Sequence, residues 1–492
     1  METTAETLNQ ALTCAARWGL PDELVAGLGL RLHGFWQRYR DLFANATRDP
    51  SPLAKIYLRA QLTMETKRNF ANIGRTLLSD DGQPLEHFMR ESPWSARAVL
   101  LQIQEELARE ALVQTGSALI LDECADEKAG DKSAGAARQY NGHLGKVDLC
   151  QVSVCLAYAN IKAGFWTMVD GELFLPEAIF AKANQKLRRQ QGIPEERAFA
   201  TKLELGLEMI RRAQVSGLPF EVVACDTLYG RDARFRRTLA AATLCYAAQT
   251  PADTRVYLEE PEVGLPPRRS NSGRPPKRLQ VLSEKPAREV RQIAADPLTA
   301  FQRVEIRQTE RGLLTADFAV LPVWTVESGH RARAEFLVIR RETSGELTYT
   351  LFWSPLELTT TEMITRSCAR YFVERVFEDG KDCLGWDEFQ GLKYEAWFHH
   401  LALTALTLWF VAETKLDWQH LAPRDPQLAA QLEVELLPAL STANVRELLK
   451  AVLPLPSLTP EQAIDLVISH LLRRAASTRS RLKHQRPPEG AP

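Results

Sequence analysis

Two stretches decide the fold, SALILDE at residues 117–123 and FEVVACD at residues 220–226. Each is a short apolar run that ends in acidic residues, and such a run is typical of a strand buried in a sheet. Asp122 is therefore expected to end one strand and Asp226 to end another. Because strand ends of one sheet can lie side by side, the two carboxylates are candidates for a common site.

The segments around these strands predict a mixed α/β sheet. Residues 137–146, ARQYNGHLGK, contain Asn-Gly, a strong signal for a hairpin turn. Residues 147–159 alternate in polarity as a half-buried strand does, so the first three strands suggest an antiparallel meander. A helical stretch at 200–214 precedes the second acidic strand, and a further helix and strand at 231–250 follow it.

The chain divides into five predicted regions with helical elements at both ends. Apolar residues at three-to-four spacing predict helices before the sheet and after residue 359. Between them, a Pro-rich stretch and four β-type segments indicate an insertion. The regions are an N-terminal helical domain at 1–112, the first part of the core at 113–250, a β-rich insertion at 251–358, the last core helix at 359–400, and a C-terminal helical region with a basic tail at 401–492.

Composition excludes some classes of protein. No apolar run reaches about 18 residues, so a membrane span is not expected. The polar start carries no signal-peptide pattern, and the eight cysteines form no CxxC pair, which predicts reduced thiols in a cytosol rather than a zinc ribbon. The net charge of −1 does not indicate a nucleic-acid binder, but basic clusters at 231–237, 268–278 and 473–486 can contact phosphates. A solvated surface is the alternative for each cluster.

Asp122 and Asp226 predict a metal site if they lie together. Two neighbouring carboxylates repel each other unless a cation neutralises them. Their hard oxygen ligands suit Mg²⁺ or Mn²⁺, and two such ions can stabilise the attacking and leaving oxygens of a phosphodiester. The alternative for either residue alone is a turn or a helix cap, and Asp226 could cap the helix that follows it.

Glu374 is a third candidate, on a predicted helix. Arg370, Glu374 and Lys381 are spaced by four and seven, which would place them on one helix face. A carboxylate flanked by two cations fits a metal ligand whose neighbours hold phosphates. From spacing alone, an exposed ion pair between residues four apart is the simpler interpretation.

Several segments together resemble bacterial insertion-sequence transposases of the DDE superfamily. The class that carries a β insertion before its catalytic Glu has the motif Tyr-x2-Arg-x3-Glu-x6-Lys, and residues 370–381, RYFVERVFEDGK, match its Arg, Glu and Lys. Ser367 stands where the motif has Tyr. Blocks of similar sequence also occur at 59–74, 83–94, 122–156, 224–230 and 389–410.

The resemblance implies an RNase H-like core in which Asp122, Asp226 and Glu374 hold two Mg²⁺ or Mn²⁺ ions. It implies hydrolysis at inverted-repeat DNA ends, recognised by the N-terminal helices, and then joining of the 3′-OH to target DNA by a homodimer. Arg370, Lys381 and Ser367 would contact phosphates near the cut. Candidates for further DNA contacts are Arg138 and Lys146 in the hairpin and, beside a flipped base, Trp324 or Trp353, with surface charge and core packing as the alternatives.

Two other functions remain open from the sequence. One is a transposase-derived DNA-binding protein without catalytic activity, which would have no need of three intact carboxylates. The other is a different RNase H-fold nuclease, which would cleave without end specificity and would not join strands.

Overall fold

The strand that carries Asp122 lies inside a ten-stranded sheet in the computed structural model. The structure describes residues 12–44, 48–142, 144–267, 276–309 and 312–453, with single positions 464, 468, 471, 472 and 475. Most of the predicted basic tail, and residues 268–275 of the Pro-rich cluster, lie outside the described residues.

The described strands run from the first acidic stretch to the end of the insertion. They are β1 (Ser117–Glu127), β2 (Ala137–Asn141), β3 (Lys146–Asn160), β4 (Phe165–Leu173), β5 (Val222–Cys225), β6 (Tyr246–Thr250), β7 (Arg255–Val256), β8 (Val263–Gly264), β9 (Gln280–Val281), β10 (Arg288–Glu289), β11 (Gln302–Thr309), β12 (Gly312–Thr325), β13 (Arg333–Arg341) and β14 (Leu347–Trp353).

The described α-helices occupy both ends of the chain and the crossovers of the core. They are α1 (Asp22–Ala26), α2 (Leu28–Tyr39), α3 (Ser51–Thr63), α4 (Phe70–Ile73), α5 (Gln83–Glu91), α6 (Ala96–Arg109), α7 (Gln185–Gln191), α8 (Lys202–Val215), α9 (Thr227–Gly230), α10 (Ala233–Ala241), α11 (Val290–Ala294), α12 (Thr360–Ser367), α13 (Tyr371–Glu378), α14 (Tyr394–Leu421), α15 (Gln427–Gln431) and α16 (Thr442–Val452).

The sheet has the order β11-β12-β13-β14-β6-β5-β1-β3-β2, with β4 also paired to β3. β1, β5 and β6 are parallel to one another, whereas β3 is antiparallel to β1. The expected meander is wrong in its pairing, since β1 pairs directly with β3, and β2 pairs only with the first five residues of β3. β4 was not predicted. It is buried on both faces and therefore lacks the alternation that marks a half-buried strand.

The strands of the predicted insertion continue the core sheet. β14 pairs antiparallel with β6, and β13, β12 and β11 follow in turn. These strands also enclose a second apolar cluster that contains Val256, Val290, Val323 and Leu337. The insertion therefore has a core of its own while it shares backbone hydrogen bonds with the strands of the candidate site.

The helices at the two ends of the chain share one core around α14. This 28-residue helix is buried on nearly every side, and helices from the N-terminal region pack against it. Buried polar contacts fix the register: Gln61 donates to Thr404 Oγ1 at 2.8 Å, and Trp409 Nε1 donates to Glu106 at 2.7 Å. The described parts of the predicted regions 1–112 and 401–492, up to residue 453, thus meet in a single helical body.

The predicted fold class is confirmed, with a mixed α/β sheet between helical N- and C-terminal regions. Helix formation from Thr359 is confirmed as well, because Thr359 caps α12 in a reciprocal capping box with Glu362. Within the described part of the chain, no helix is both long and apolar enough to cross a membrane.

Candidate active site

Asp122 and Asp226 occupy adjacent positions of neighbouring parallel strands. The pairing of β1 with β5 ends at Leu121 and Cys225, and each aspartate is the next residue of its chain segment. Neighbouring strands of a sheet lie about 4.8 Å apart, so the two carboxylates lie side by side. The prediction that Asp122 ends its strand is wrong: β1 continues to Glu127, paired with β3, and Asp122 marks only the end of the parallel pairing.

Asp226 begins the single helical turn α9. Its Oδ1 accepts a hydrogen bond from the backbone N–H of Leu228 at 3.1 Å, which makes it the N-cap that the sequence suggested as an alternative. The backbone N–H of Tyr229 also interacts with this carboxylate, and a carboxylate with about four lone-pair sites can accept further partners. Capping and participation in a site are therefore compatible for this residue.

The two aspartates lie in an environment that disfavours their charged forms. Burial, followed by the charge of Asp226, raises the pKa of Asp122 to about 6. Burial, followed by the charge of Glu123, raises the pKa of Asp226. The positive charge of Arg370 offsets these effects only in part, and a cation bound between the two carboxylates would favour their ionised forms.

Arg370 connects Asp122 to Glu374. Its Nη1 donates to Asp122 Oδ2 at 2.8 Å, and its Nη2 donates to Glu374 Oε1 at 2.7 Å. The Asp122 side chain is 16% exposed, whereas that of Glu374 is 52% exposed. The expected pair of Arg370 and Glu374 on the helix is present, and the same guanidinium brings the third carboxylate to the first.

The helix that carries Glu374 is irregular at both ends. Arg370 ends a 3₁₀ turn at Cys368–Arg370, and Lys381 lies in a π turn at Asp379–Cys383. The π turn changes the spacing assumed for one continuous stripe. Lys381 nevertheless faces β1, because its Nζ donates to the carbonyl of Ala125 at 3.3 Å.

The other predicted site residues lie on α12, on the β2–β3 hairpin and on strands of the insertion. Ser367 ends α12, where its Oγ donates to the carbonyl of Ile364 at 2.7 Å. Arg138 and Lys146 are exposed on the β2–β3 hairpin, and Lys146 pairs with Asp148 at 3.1 Å. Two tryptophans lie on insertion strands: Trp324 is half-buried on β12, and Trp353 on β14 stacks on Tyr246 with ring centroids 6.0 Å apart.

Glu123 follows Asp122 in β1, and the alternation of side chains along a strand turns it to the opposite face. In the structure its carboxylate pairs with Lys202 of α8 at 2.7 Å and is mostly buried. Its charge still raises the pKa of Asp226. The signal that could have found it is the second acid that follows the apolar run of β1, directly beside Asp122.

His399 and His400 are core residues of α14. His399 stacks on Trp94 with ring centroids 3.8 Å apart. His400 makes hydrogen bonds with the hydroxyl of Tyr57 at 2.9 Å and with the carbonyl of Trp386 at 2.8 Å. Burial lowers the pKa of His400 to about 4, so it is neutral at physiological pH.

The donor set matches a hard divalent cation in the type of its ligand atoms, and not in their spacing in this structure. Among the residues that the structure describes, no three His, Cys, Asp or Glu side chains come close enough together to hold one ion. Asp122 and Asp226 nevertheless offer oxygen ligands with raised pKa values, and the guanidinium of Arg370 lies between Asp122 and Glu374. The Arg370 guanidinium thus already places a positive charge next to these carboxylates.

Comparison with known families defines the class of protein to which this site belongs. Residues 38–313 match the family described as DDE superfamily endonucleases, which is more than half of the chain. The chain therefore belongs to this family, as its motifs predicted. The matched range includes Asp122 and Asp226 and ends before Glu374.

Similarity to individual proteins is more limited. A probable transposase for insertion sequence element IS701 from Microchaete diplosiphon is 29% identical over 201 residues, which are 41% of this chain and 48% of that protein. The chain thus spans about half the length of this relative. A cryo-EM structure of the piggyBac transposase synaptic complex with hairpin DNA aligns over 93% of this chain and 84% of its own, at 9% identity and a TM-score of 0.36.

Proposed function

We propose that this protein is a transposase that binds the inverted-repeat ends of a mobile DNA element, hydrolyses phosphodiester bonds there and joins the freed 3′-OH to target DNA. The observation that carries the proposal is the adjacency of Asp122 and Asp226 on parallel strands, linked through Arg370 to Glu374, in a member of the DDE superfamily endonucleases. The named relative adds support, since its description is that of a probable transposase.

Asp122, Asp226 and Glu374 are proposed as the catalytic residues and as the ligands of two divalent ions, Mg²⁺ or Mn²⁺. When bound, such ions activate the attacking oxygen and stabilise the leaving oxygen of a phosphodiester. Asp226 can offer lone pairs to an ion while it caps α9, because a carboxylate has about four lone-pair sites, and Glu374 is exposed enough to meet DNA from solvent. Asp122 is buried, and the hydrogen bond from Arg370 fixes the orientation of its carboxylate.

The basic residues around the carboxylates are proposed to hold DNA phosphates. Arg370 and Lys381 both contact β1. Arg370 binds Asp122, and Lys381 binds the carbonyl of Ala125, three residues further along the strand. A phosphate that approaches Asp122 would compete for the Arg370 guanidinium, which can then exchange a carboxylate partner for a phosphate without losing its charge pairing. Ser367 is proposed to accept or donate a hydrogen bond at the start of this basic surface.

The remaining DNA contacts are proposals of the same kind. The N-terminal helices at 1–112 would recognise the ends, and Arg138 and Lys146 on the exposed hairpin would contact the backbone. Trp324 and Trp353 are the candidates to support a flipped base. A homodimer would pair two ends for cut-and-paste transposition, and the protein would act on the nucleoid in a bacterial cytoplasm.

A plasmid excision assay tests the proposal. A supercoiled plasmid carries the inverted repeats that flank the gene, and purified protein is added with Mg²⁺ or Mn²⁺. We expect cuts at the ends and joined products in the presence of target DNA, and none with Asp226→Asn. Equal cleavage by the wild type and by Asp226→Asn would reject the catalytic residues, and cleavage without end specificity or joining would favour a general nuclease.

A further inference from the structure

A buried carboxylate in the insertion, Glu335 on β13, is held by donors from both parts of the sheet. Its side chain is fully buried and accepts hydrogen bonds from Arg236 Nε at 3.0 Å and from the hydroxyl of Tyr246 at 2.5 Å, and Thr325 Oγ1 donates to its other oxygen. A buried charge persists only when it is paired and hydrogen-bonded in this way. Arg236 and Tyr246 belong to α10 and β6 of the core, so Glu335 joins the insertion to the core.

The same Arg236 holds the turn that follows Asp226. Its Nη1 donates to the carbonyl of Gly230, the last residue of α9. The N–H of Gly230 in turn donates to the carbonyl of Asp226 at 2.9 Å. One guanidinium therefore binds the insertion on one side and closes the single helical turn that begins at Asp226 on the other.

This turn has no room to shift toward the sheet. A Cβ atom on Gly230 would lie 1.8 Å from the carbonyl oxygen of Gln249 on β6. Close contact with β6 prevents α9 from moving in that direction. The position of α9 therefore depends on the donor that binds the Gly230 carbonyl on its outer side. In the described structure that donor is Arg236, itself only 3% exposed.

We propose that Glu335, acting through Arg236, is a positioning residue for Asp226. The inference rests on the proposed function, in which Asp226 is a metal ligand. Glu335 orients the Arg236 guanidinium so that its Nη1 reaches the Gly230 carbonyl. The turn α9 then places Asp226 beside Asp122. The insertion thereby contributes to the geometry of the site through a residue, Glu335, that lies 109 positions after Asp226 in sequence.

Two substitutions break this chain of contacts at different points. Glu335→Gln keeps the shape of the side chain and removes its charge, so the Arg236 guanidinium loses the ion pair that orients it. Arg236→Lys keeps the charge of the buried pair, but an ammonium lacks the rigid fork that reaches Glu335 and Gly230 together. Thr325→Val is the matched control, because it removes a hydrogen bond to Glu335 from the side away from Arg236 and α9.

The test measures Mn²⁺ affinity of each folded variant by electron paramagnetic resonance of the free ion, together with kcat and KM for cleavage of end DNA. Residues behind a metal ligand typically change metal affinity or activity by about 10- to 100-fold. We expect a loss of that size in Mn²⁺ affinity and in kcat for Glu335→Gln and Arg236→Lys, with KM for DNA unchanged. Thr325→Val should match the wild type in all three quantities once the folded fraction is equal.

Several outcomes would overturn the inference. If Glu335→Gln and Arg236→Lys lower the melting temperature but retain wild-type Mn²⁺ affinity and kcat, the cluster is only structural. If Thr325→Val shows the same losses as they do, the effect comes from general destabilisation. A wild type that binds Mn²⁺ but cuts no DNA counts against the proposed function, and the Mn²⁺ affinities still decide the role of Glu335. Arg236→Lys provides the answer if Glu335→Gln fails to fold.

Discussion

Asp122→Asn should stabilise the metal-free protein while it abolishes cleavage. The pKa of Asp122 is raised from the ordinary 3.8 to about 6, first by burial and then by the charge of Asp226. Keeping this group ionised at neutral pH therefore costs folding free energy. At about 1.4 kcal/mol for each unit of pKa, the cost is about 3 kcal/mol. Asparagine has the same shape, can still accept a hydrogen bond from Arg370, and carries no charge.

The pH dependence has a definite sign. Because the folded protein holds the proton more tightly than the unfolded chain, the cost is absent below pH 3.8, grows between 3.8 and about 6, and is complete above about 6. The free energy of unfolding of Asp122→Asn should thus exceed that of the wild type by up to about 3 kcal/mol at pH 8, and by little at pH 4.

Urea unfolding in EDTA at pH 4 and pH 8 measures this difference directly. Added Mg²⁺ should then stabilise the wild type more than Asp122→Asn, since an ion that binds only the folded state raises its stability. The reasoning would be refuted if the variant were equally destabilised at both pH values, because Asp122 would then stabilise the fold by contacts rather than strain it by charge.

Three further predictions concern neighbouring groups. Arg370→Ala should lower the free energy of unfolding by about 2 kcal/mol at pH 8 and by less at pH 4, where Asp122 is protonated, as urea titrations would show. Gly230→Ala should cost about 3 kcal/mol or prevent folding, because its Cβ would lie 1.8 Å from the Gln249 carbonyl oxygen; a circular dichroism melt checks this. Compared with His400→Gln, the wild type should lose about 3 kcal/mol as the pH falls from 6.5 to 4, because its buried imidazole, with a pKa of about 4, must stay neutral. An equal pH dependence of both proteins would contradict this.

The sequence allowed the two aspartates to be predicted because their signal is local. Each follows a run of apolar residues that a buried strand requires, and parallel pairing then places the next residues side by side. Glu374 lacked such a signal, since an ion pair between residues four apart looks the same on any helix surface. Only the family motif indicated its role, and the contact of Arg370 with Asp122 joins residues 248 positions apart.

Other features depend on pairings that no local pattern encodes. The strands of the insertion alternate as strands of a separate sheet would, and no local pattern predicts the pairing of β14 with β6 that joins them to the core sheet. β4 contains Asp170 and Glu172, which resemble surface residues in the sequence. Both are buried because Arg97 and Arg212, from two different helices, pair with them. Because residues far away in the sequence neutralise these charges, the polarity pattern of β4 does not indicate a buried strand.

The most direct test of the proposed catalytic triad concerns its most exposed member. Glu374 and Glu378 lie on the same helix, and each pairs with an arginine, Arg370 and Arg375 respectively. Cleavage of end DNA in Mg²⁺ should fall at least about 100-fold in Glu374→Gln, as expected when charge stabilisation in a transition state is lost, and stay unchanged in Glu378→Gln. Equal rates for both variants would contradict the assignment of Glu374 to the site.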